Sequence, residues 1–151
     1  MIQIGVGNLD KYESIKLDNQ LCFSLYALSR EVIKRYKPLL DKHGLTYTQY
    51  VAMLVMWEEE KIGFKELGKR LHLDSGTLTP VVKKLESMDL VRKYRNKEDD
   101  RVVTVELTEK GRLMKEEILD VPEQIYTLCC GQEVDLSCVK TQIDKLLNML
   151  D

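Results

Sequence analysis

Residues 74–107, DSGTLTPVVKKLESMDLVRKYRNKEDDRVVTVEL, gather hydroxyls, a glycine and cations where they could grip a polyanion. Ser75, Gly76, Thr77 and Thr79 crowd the start of a predicted helix. The N–H groups and hydroxyls there suit phosphate oxygens, and threonine can also touch base edges or thymine methyls. Pro80 follows, then Lys83 and Lys84, within reach of phosphate or guanine. Arg92, Lys93, Arg95, Lys97 and Arg101 charge two predicted strands and their loop. A helix that fits the major groove, followed by a basic hairpin that reaches a neighbouring groove, is the order of a winged helix-turn-helix. Asp99 and Asp100 precede Arg101 and can anchor its guanidinium, which favours a minor-groove wing over a plain surface ion pair of little worth.

The other reactive side chains are four cysteines, Cys22, Cys129, Cys130 and Cys138. They form no C-x-x-C, and the two histidines, His43 and His72, lie far from them in sequence. Closed zinc sites need paired ligands at short spacings, so neither metal nor cofactor is expected. No segment is apolar for long enough to span a bilayer, and the N-terminus lacks the basic-then-apolar order of a secretion signal. The expectation is a cytoplasmic protein with no membrane partner and with thiols reduced at rest. Taken with its neighbours alone, Cys22 reads as a small buried hydrophobe.

The net charge of -2 gives no global reason to bind nucleic acid, but its distribution does. Residues 65–101 carry ten Lys/Arg against seven Asp/Glu, a local +3 that leaves -5 elsewhere. A basic face on an otherwise acidic chain is a footprint of DNA binding.

The elements that must hold these groups are mostly helices. Residues 1–16 read as a flexible N-terminal arm, and 17–151 as one domain. From Leu17 two apolar stripes share one helix: Leu21, Leu25, Leu28, Val32 and Leu39, beside Cys22, Tyr26, Ser29, Ile33, Tyr36 and Leu40. A helix apolar on two faces suits a dimer core. Pro38 predicts a kink or break, and Gly44 closes the helix. Thr46 with Gln49 makes a capping box for the apolar run VAMLVMW, and Phe64–Leu71 forms a short helix. The next helix starts either at Asp74 or Ser75, or at Pro80 with Thr79 as its cap. Two strands, about Leu90–Tyr94 and Val102–Leu107, form the wing. Thr108 then caps a long helix to about Leu128, bent at Pro122, and a last amphipathic helix follows from Leu136. The fold class is mainly α (α+β). The winged helix-turn-helix spans about 46–108, with dimerisation helices at about 17–43 and 108–151.

The DSGTLTP helix start, the pattern of Asp99, Arg101, Leu107 and Thr108, and the flanking helices resemble the MarR family of dimeric winged-helix repressors. The resemblance runs from about Leu17 onward. It implies a homodimer on pseudo-palindromic operator DNA, with half-sites about 34–36 Å apart. Within that family the blocks LDNQLCFSLY, RYKPLL and LTYTQY resemble the branch that responds to organic hydroperoxides. That likeness implies Cys22 as the redox sensor, with Tyr36 and Tyr47 of the partner subunit as hydrogen-bond partners of its thiolate. Tyr26, one turn beyond Cys22, is an extra pocket residue.

Physical chemistry supports such a sensor. A free thiol with a pKa of about 8.5 is mostly protonated in the cytosol, and only the thiolate attacks peroxide. Phenol O–H donors and a helix start near Asp18 would stabilise the anion. Phe23, Leu25, Met53, Met56 and Trp57 are candidates for an apolar surround that favours organic peroxides. Some members of the branch resolve the sulfenic acid with a second cysteine, which implies Cys129 or Cys130 here. Others use a low-molecular-weight thiol, and all three remaining cysteines could be passive. The leading expectation is a hydroperoxide-released repressor and not an enzyme. The alternative is a repressor released by a non-oxidising aromatic or lipophilic ligand, and a thiol peroxidase is the third reading.

Overall fold

A computed structural model describes residues 12–95, 102–130 and 134–150. Two short 3-10 turns, Glu13–Ile15 and Leu17–Asn19, lead into α1, Leu21–Leu40. The helix therefore begins three residues later than Asp18, with Gln20 as an N-cap whose side chain makes no capping bond. It runs through Pro38 without the expected break and ends in a 3-10 turn, Asp41–His43. Pro38 forfeits one hydrogen bond only two residues before the end, where the helix is closing anyway. Gly44 then takes the left-handed conformation (φ +68°) that other residues adopt at a cost.

α2, Tyr47–Glu59, starts on the full Thr46–Gln49 capping box. Its Ala52, Met53, Val55, Met56 and Trp57 are buried, as an apolar run requires. A three-residue strand, β1 (Lys61–Gly63), follows and was not predicted, because a run so short carries no alternation to read. α3 spans Phe64–Arg70 and α4 spans Ser75–Ser87. Of the two starts left open for α4, the structure takes the first. Asp74 is its N-cap and Pro80 its sixth residue. Pro80 removes the bond to the Gly76 carbonyl, and that exposed group can be satisfied by water.

β2 (Val91–Arg95) and β3 (Val103–Leu107) form the wing, with β1 added as a third antiparallel strand in the order β1-β3-β2. Ile62 faces Val105 in one ladder and Arg92 faces Glu106 in the other. The single long helix expected after Thr108 is two helices, α5 (Glu109–Glu117) and α6 (Val121–Cys130). The chain turns at 118–120, and Pro122, which has no N–H to give, falls in the first turn of α6, where no such bond is required. α7 covers Leu136–Asn148, capped by Asp135. The fold is mainly α with a small sheet, a winged helix-turn-helix between terminal helices.

One core joins α2, α3, α4, the sheet and α5 through Leu67, Leu78, Val82, Leu85, Leu90 and Val105, all essentially inaccessible. Met53, Met56 and Trp57 belong to this core and do not surround Cys22, correcting the expectation for those three. Their helix presents them to α4 and the sheet, whereas Cys22 stands at the far end of α1. Phe23 and Leu25 are exposed beside it.

A buried polar lock ties the start of α5 to the turn after α4. The Thr108 hydroxyl donates to the Asp89 carbonyl at 2.6 Å and accepts the Gly111 N–H at 3.0 Å. Trp57 donates its indole N–H to the Gly111 carbonyl at 2.7 Å. A Cβ on Gly111 would stand 2.2 Å from the Leu90 carbonyl oxygen, so only glycine lets the backbones meet. Gly111→Ala is expected to cost about 3 kcal/mol in urea unfolding, at the upper end for overpacking. Gly63→Ala, whose Cβ would meet nothing within 4 Å, should stay within about 0.5 kcal/mol. Equal costs at the two positions would contradict this account of the lock.

Candidate DNA-reading face and redox site

α4 buries Leu78, Val82 and Leu85 and exposes Ser75, Gly76, Thr77, Thr79, Pro80, Lys83 and Lys84. Residues three and four apart share a helix face, so Gly76, Thr79, Pro80 and Lys83 form a ridge opposite the core. Every α4 residue proposed for DNA contact is thus free of the core. Their chemistry differs from the expectation in one respect. The Asp74 carboxylate accepts the Thr77 N–H at 2.9 Å and the Thr77 hydroxyl at 2.8 Å. These bonds hold the Asp74 carboxyl below its ordinary pKa, so it is ionised at neutral pH. The Thr79 hydroxyl donates to the Ser75 carbonyl at 2.6 Å. A phosphate would meet a carboxylate here, with the donors of Thr77 and Thr79 already engaged. The exposed start of α4 thus keeps the Ser75 hydroxyl, threonine methyl groups and oxygen lone pairs outward, with the cations Lys83 and Lys84 set further along.

In β2 the side chains alternate. Val91 and Lys93 face the helices, while Arg92 and Tyr94 face the other way, where Arg92 lies across the ladder from Glu106. Arg95 is exposed at the strand's end. Lys93 was expected to add free charge, but its ammonium sits 4.3 Å from the centre of the Phe64 ring. Lys97, Asp99 and Arg101 lie outside the described residues, as do the first eleven.

The thiol site is split. Cys22 is the second residue of α1 and exposed, so the helix start lies closer to it than expected. Tyr26, one turn on, accepts a hydrogen bond from Arg30 at 2.9 Å. Tyr36 lies fourteen residues beyond Cys22 on the same helix, about 21 Å along its axis at 1.5 Å per residue. There it meets Tyr47, with ring centroids 4.9 Å apart, and Tyr50 at 5.7 Å. Tyr50 was missed in the sequence, although its position three residues after Tyr47 puts it on the same face of α2.

Burial, then the neighbouring Tyr47, Tyr50 and Cys129, push the Tyr36 hydroxyl up to about 12. Burial also raises Tyr47 and Tyr50. All three phenols are therefore protonated hydrogen-bond donors near neutral pH. Cys129 is half-buried against the core close to this cluster, and Cys138 is exposed in the first turn of α7. The side chain of Cys130 lies outside the described residues. Among the described residues no group of His, Cys, Asp and Glu could hold a metal, and no helix is long and apolar enough to cross a membrane.

Residues 34–118 match the family model described as transcriptional regulator SarA/Rot. The organic hydroperoxide resistance transcriptional regulator of Bacillus subtilis (strain 168) is 48% identical over 141 residues, 93% of this chain and 96% of the relative. Reduced AbfR bound to DNA superposes with a TM-score of 0.77 at 33% identity, over 93% of this chain and 98% of that chain. Disulfide-formed AbfR superposes at 0.66 and 34% identity, over 93% and 96%. MarR shares the fold, with a TM-score of 0.73 at 22% identity over 86% of this chain and 96% of that chain.

Tyr36 yields a titration prediction. Its folded pKa lies above the ordinary value of 10.0, so the stability linked to its neutral form is complete below that pH. It is lost as pH climbs through about 12. Phenolate absorbance should show one of the seven tyrosines ionising last, and Tyr36→Phe should remove that step. Seven tyrosines titrating together near 10 in the folded protein would contradict the burial assigned to Tyr36.

Proposed function

Because the chain belongs to the MarR family of winged-helix transcriptional regulators, on its organic-hydroperoxide-sensing branch, we propose that it is a DNA-binding repressor. As a reduced homodimer it holds its operator, and it lets go when an organic hydroperoxide oxidises Cys22. One observation carries the reading: the exposed Cys22 thiol stands at the start of α1, while Tyr36 stands near its other end, packed on Tyr47 of α2. A second copy with α1 antiparallel would bring each Cys22 to the other's Tyr36 and Tyr47. α1 leaves Leu21, Phe23, Leu25 and Leu28 exposed, and α7 leaves Leu146 and Leu147. Burying each such side chain is worth about 1.5–3 kcal/mol, ample to drive pairing. The dimerisation segments are about 17–43 and 108–151, around a DNA-binding unit of about 46–108.

At that seam the phenols donate to the thiolate and stabilise it without adding charge. The thiolate attacks one peroxide oxygen. An S–O bond forms, the O–O bond breaks, and the alkoxide takes a proton and leaves as alcohol. Cys22 is then a neutral, larger sulfenic acid. Of the two candidates Cys129 and Cys130, the nearness of Cys129 to Tyr36 in its own subunit favours it as the thiol that attacks the Cys22 sulfur of the partner. Its thiolate forms the S–S bond and expels hydroxide, which is protonated to water. The disulfide-formed state of AbfR supports such a step, and a low-molecular-weight thiol would be the competing nucleophile. In this scheme each subunit is oxidised once, as befits a regulator of the cytoplasm rather than a turnover enzyme.

On DNA, α4 enters the major groove, while Arg92, Arg95, Lys97, Asp99 and Arg101 serve the wing. A second reading rests on a hollow whose wall is mostly apolar (Tyr50, Leu54, Trp57, Ile118, Leu119 and Pro122) with Glu58 and Lys115 also lining it, which would suit a non-oxidising aromatic ligand.

With a duplex selected by the protein from a random library, Cys22→Ser should stay bound after one equivalent of cumene hydroperoxide while wild type releases. Release of that variant would move the sensor elsewhere, and release of wild type by a non-oxidising aromatic would favour the hollow. On non-reducing gels the oxidised crosslink should vanish in Cys129→Ser and persist in Cys138→Ser. The reverse pattern would assign resolution to α7. Lys83→Ala should weaken binding and reduce the salt slope by about 0.9 if it neutralises one phosphate. An unchanged slope would give Lys83 another role.

A further inference from the structure

Lys93 stands at the middle of β2, on the sheet face turned toward the helices, with Val91 one step before it. A lysine at such a position would ordinarily extend its ammonium into water. Here the ammonium lies 4.3 Å from the centre of the ring of Phe64, the first residue of α3. The Lys93 backbone N–H donates to a carboxylate oxygen of Glu86 at 3.0 Å, and Glu86 lies near the end of α4, one turn beyond Lys83. Phe64 itself is half-buried and packed on the core. One residue therefore touches three elements: the strand that carries the wing, the helix before the recognition helix, and the recognition helix.

We infer that the Phe64–Lys93–Glu86 contact is a strut that fixes the angle between wing and recognition helix, and that Lys93 acts in DNA binding as a positioning residue and not as a phosphate contact. The inference rests on the DNA-binding reading above. A cation over an aromatic face contributes a modest attraction, and its geometry is specific because the charge must sit above the ring. β3, the partner of β2, is itself held on its other edge by β1, which runs directly into Phe64. The sheet and α3 thus move together: the Lys93 backbone N–H ties β2 to α4 in any variant, and its ammonium adds the tie to α3 that holds β2 at a fixed angle to both helices. Loss of the strut frees the wing to miss its groove while α4 still enters the major groove. A phosphate-binding lysine behaves differently: its loss lowers the number of counterions released on binding and flattens the salt dependence.

The test measures affinity for the selected duplex, and for a scrambled duplex, across a salt series. Lys93→Met keeps the stem and removes the charge, Phe64→Leu removes the ring, and Lys93→Arg keeps a cation that stacks. Lys93→Met and Phe64→Leu should each weaken the selected duplex about three- to tenfold with the salt slope unchanged, and spare the scrambled one. The double variant should be no worse than the weaker single, and Lys93→Arg should restore binding. If Phe64→Leu does not fold, Glu86→Gln takes its place, with a smaller loss and again an unchanged slope. A slope reduced by about 0.9 in Lys93→Met, additive losses in the double variant, or no loss at all would overturn the strut. If wild type selected no duplex, the DNA-binding reading would fall with it, whereas wild-type selection with any of those outcomes sinks the strut alone.

Discussion

An α-helix cannot bend one end back to the other, and that rigidity governs this chain. Cys22 and Tyr36 are fixed on a single twenty-residue helix, α1, about 21 Å apart. No side-chain rotation brings the thiol to the phenols of its own subunit. Chemistry that uses both must be intermolecular, which makes pairing of subunits and redox sensing one requirement. The arrangement also explains why the first half of α1 exposes apolar side chains while its last residues, Leu39 and Leu40, are buried in their own subunit. The helix serves its own core at one end and offers itself to another surface at the other.

The phenol cluster lies on the route between that surface and α4. Tyr36 touches Tyr47 and Tyr50 of α2. Two turns along α2 from Tyr50 is Trp57, whose indole holds the Gly111 carbonyl. Gly111 is pinned through Thr108 to the turn after α4. The links are half-buried ring contacts at one end, the rigid turns of α2 between Tyr50 and Trp57, and hydrogen bonds at the other. A closely packed interior transmits a displacement as a shift of whole elements and does not absorb it locally. A change of charge and volume beside Tyr36 would thus act on α2, and through it on the orientation of α4. The structure supplies this connected path; whether coupling follows it is a matter of energies.

Much of this was legible in the sequence, for identifiable reasons. The Thr46–Gln49 box, the Asp74 cap, Gly44 and the alternating strands depend on local geometry, which residue types declare directly. What was not legible depended on contacts distant in sequence. β1 exists because β3 offers it an edge, and nothing within three residues announces that. Met53, Met56 and Trp57 had the composition of a peroxide pocket, yet composition does not say which face of α2 meets which neighbour. Lys93 looked like one more wing cation because its partner, Phe64, is 29 residues away. Pro80 was ambiguous because a proline at a helix start sacrifices no bond and one a turn inside sacrifices only one, here to the Gly76 carbonyl.

The occupied start of α4 divides labour across the DNA-reading face. An ionised Asp74 bonded to Thr77 fills the place where a bare helix terminus would attract phosphate. The local field there repels the DNA backbone, and the helix end gains its cap in exchange. Attraction must then come from cations set back from the tip, Lys83 and Lys84 a turn or more along, and from the wing. Such spacing lets α4 approach base edges tip-first, with its methyls and acceptor lone pairs leading. Amino groups of adenine and cytosine and the thymine methyl are the features that such a tip can read. In the proposed repressor, affinity carried by the cations would weaken with salt, while sequence preference carried by the uncharged side chains of the tip would be far less sensitive to it. The same separation bears on the proposed release: turning α4 by a fraction of its width would misalign the tip before the lysines lost the backbone, so selectivity would fail before attraction.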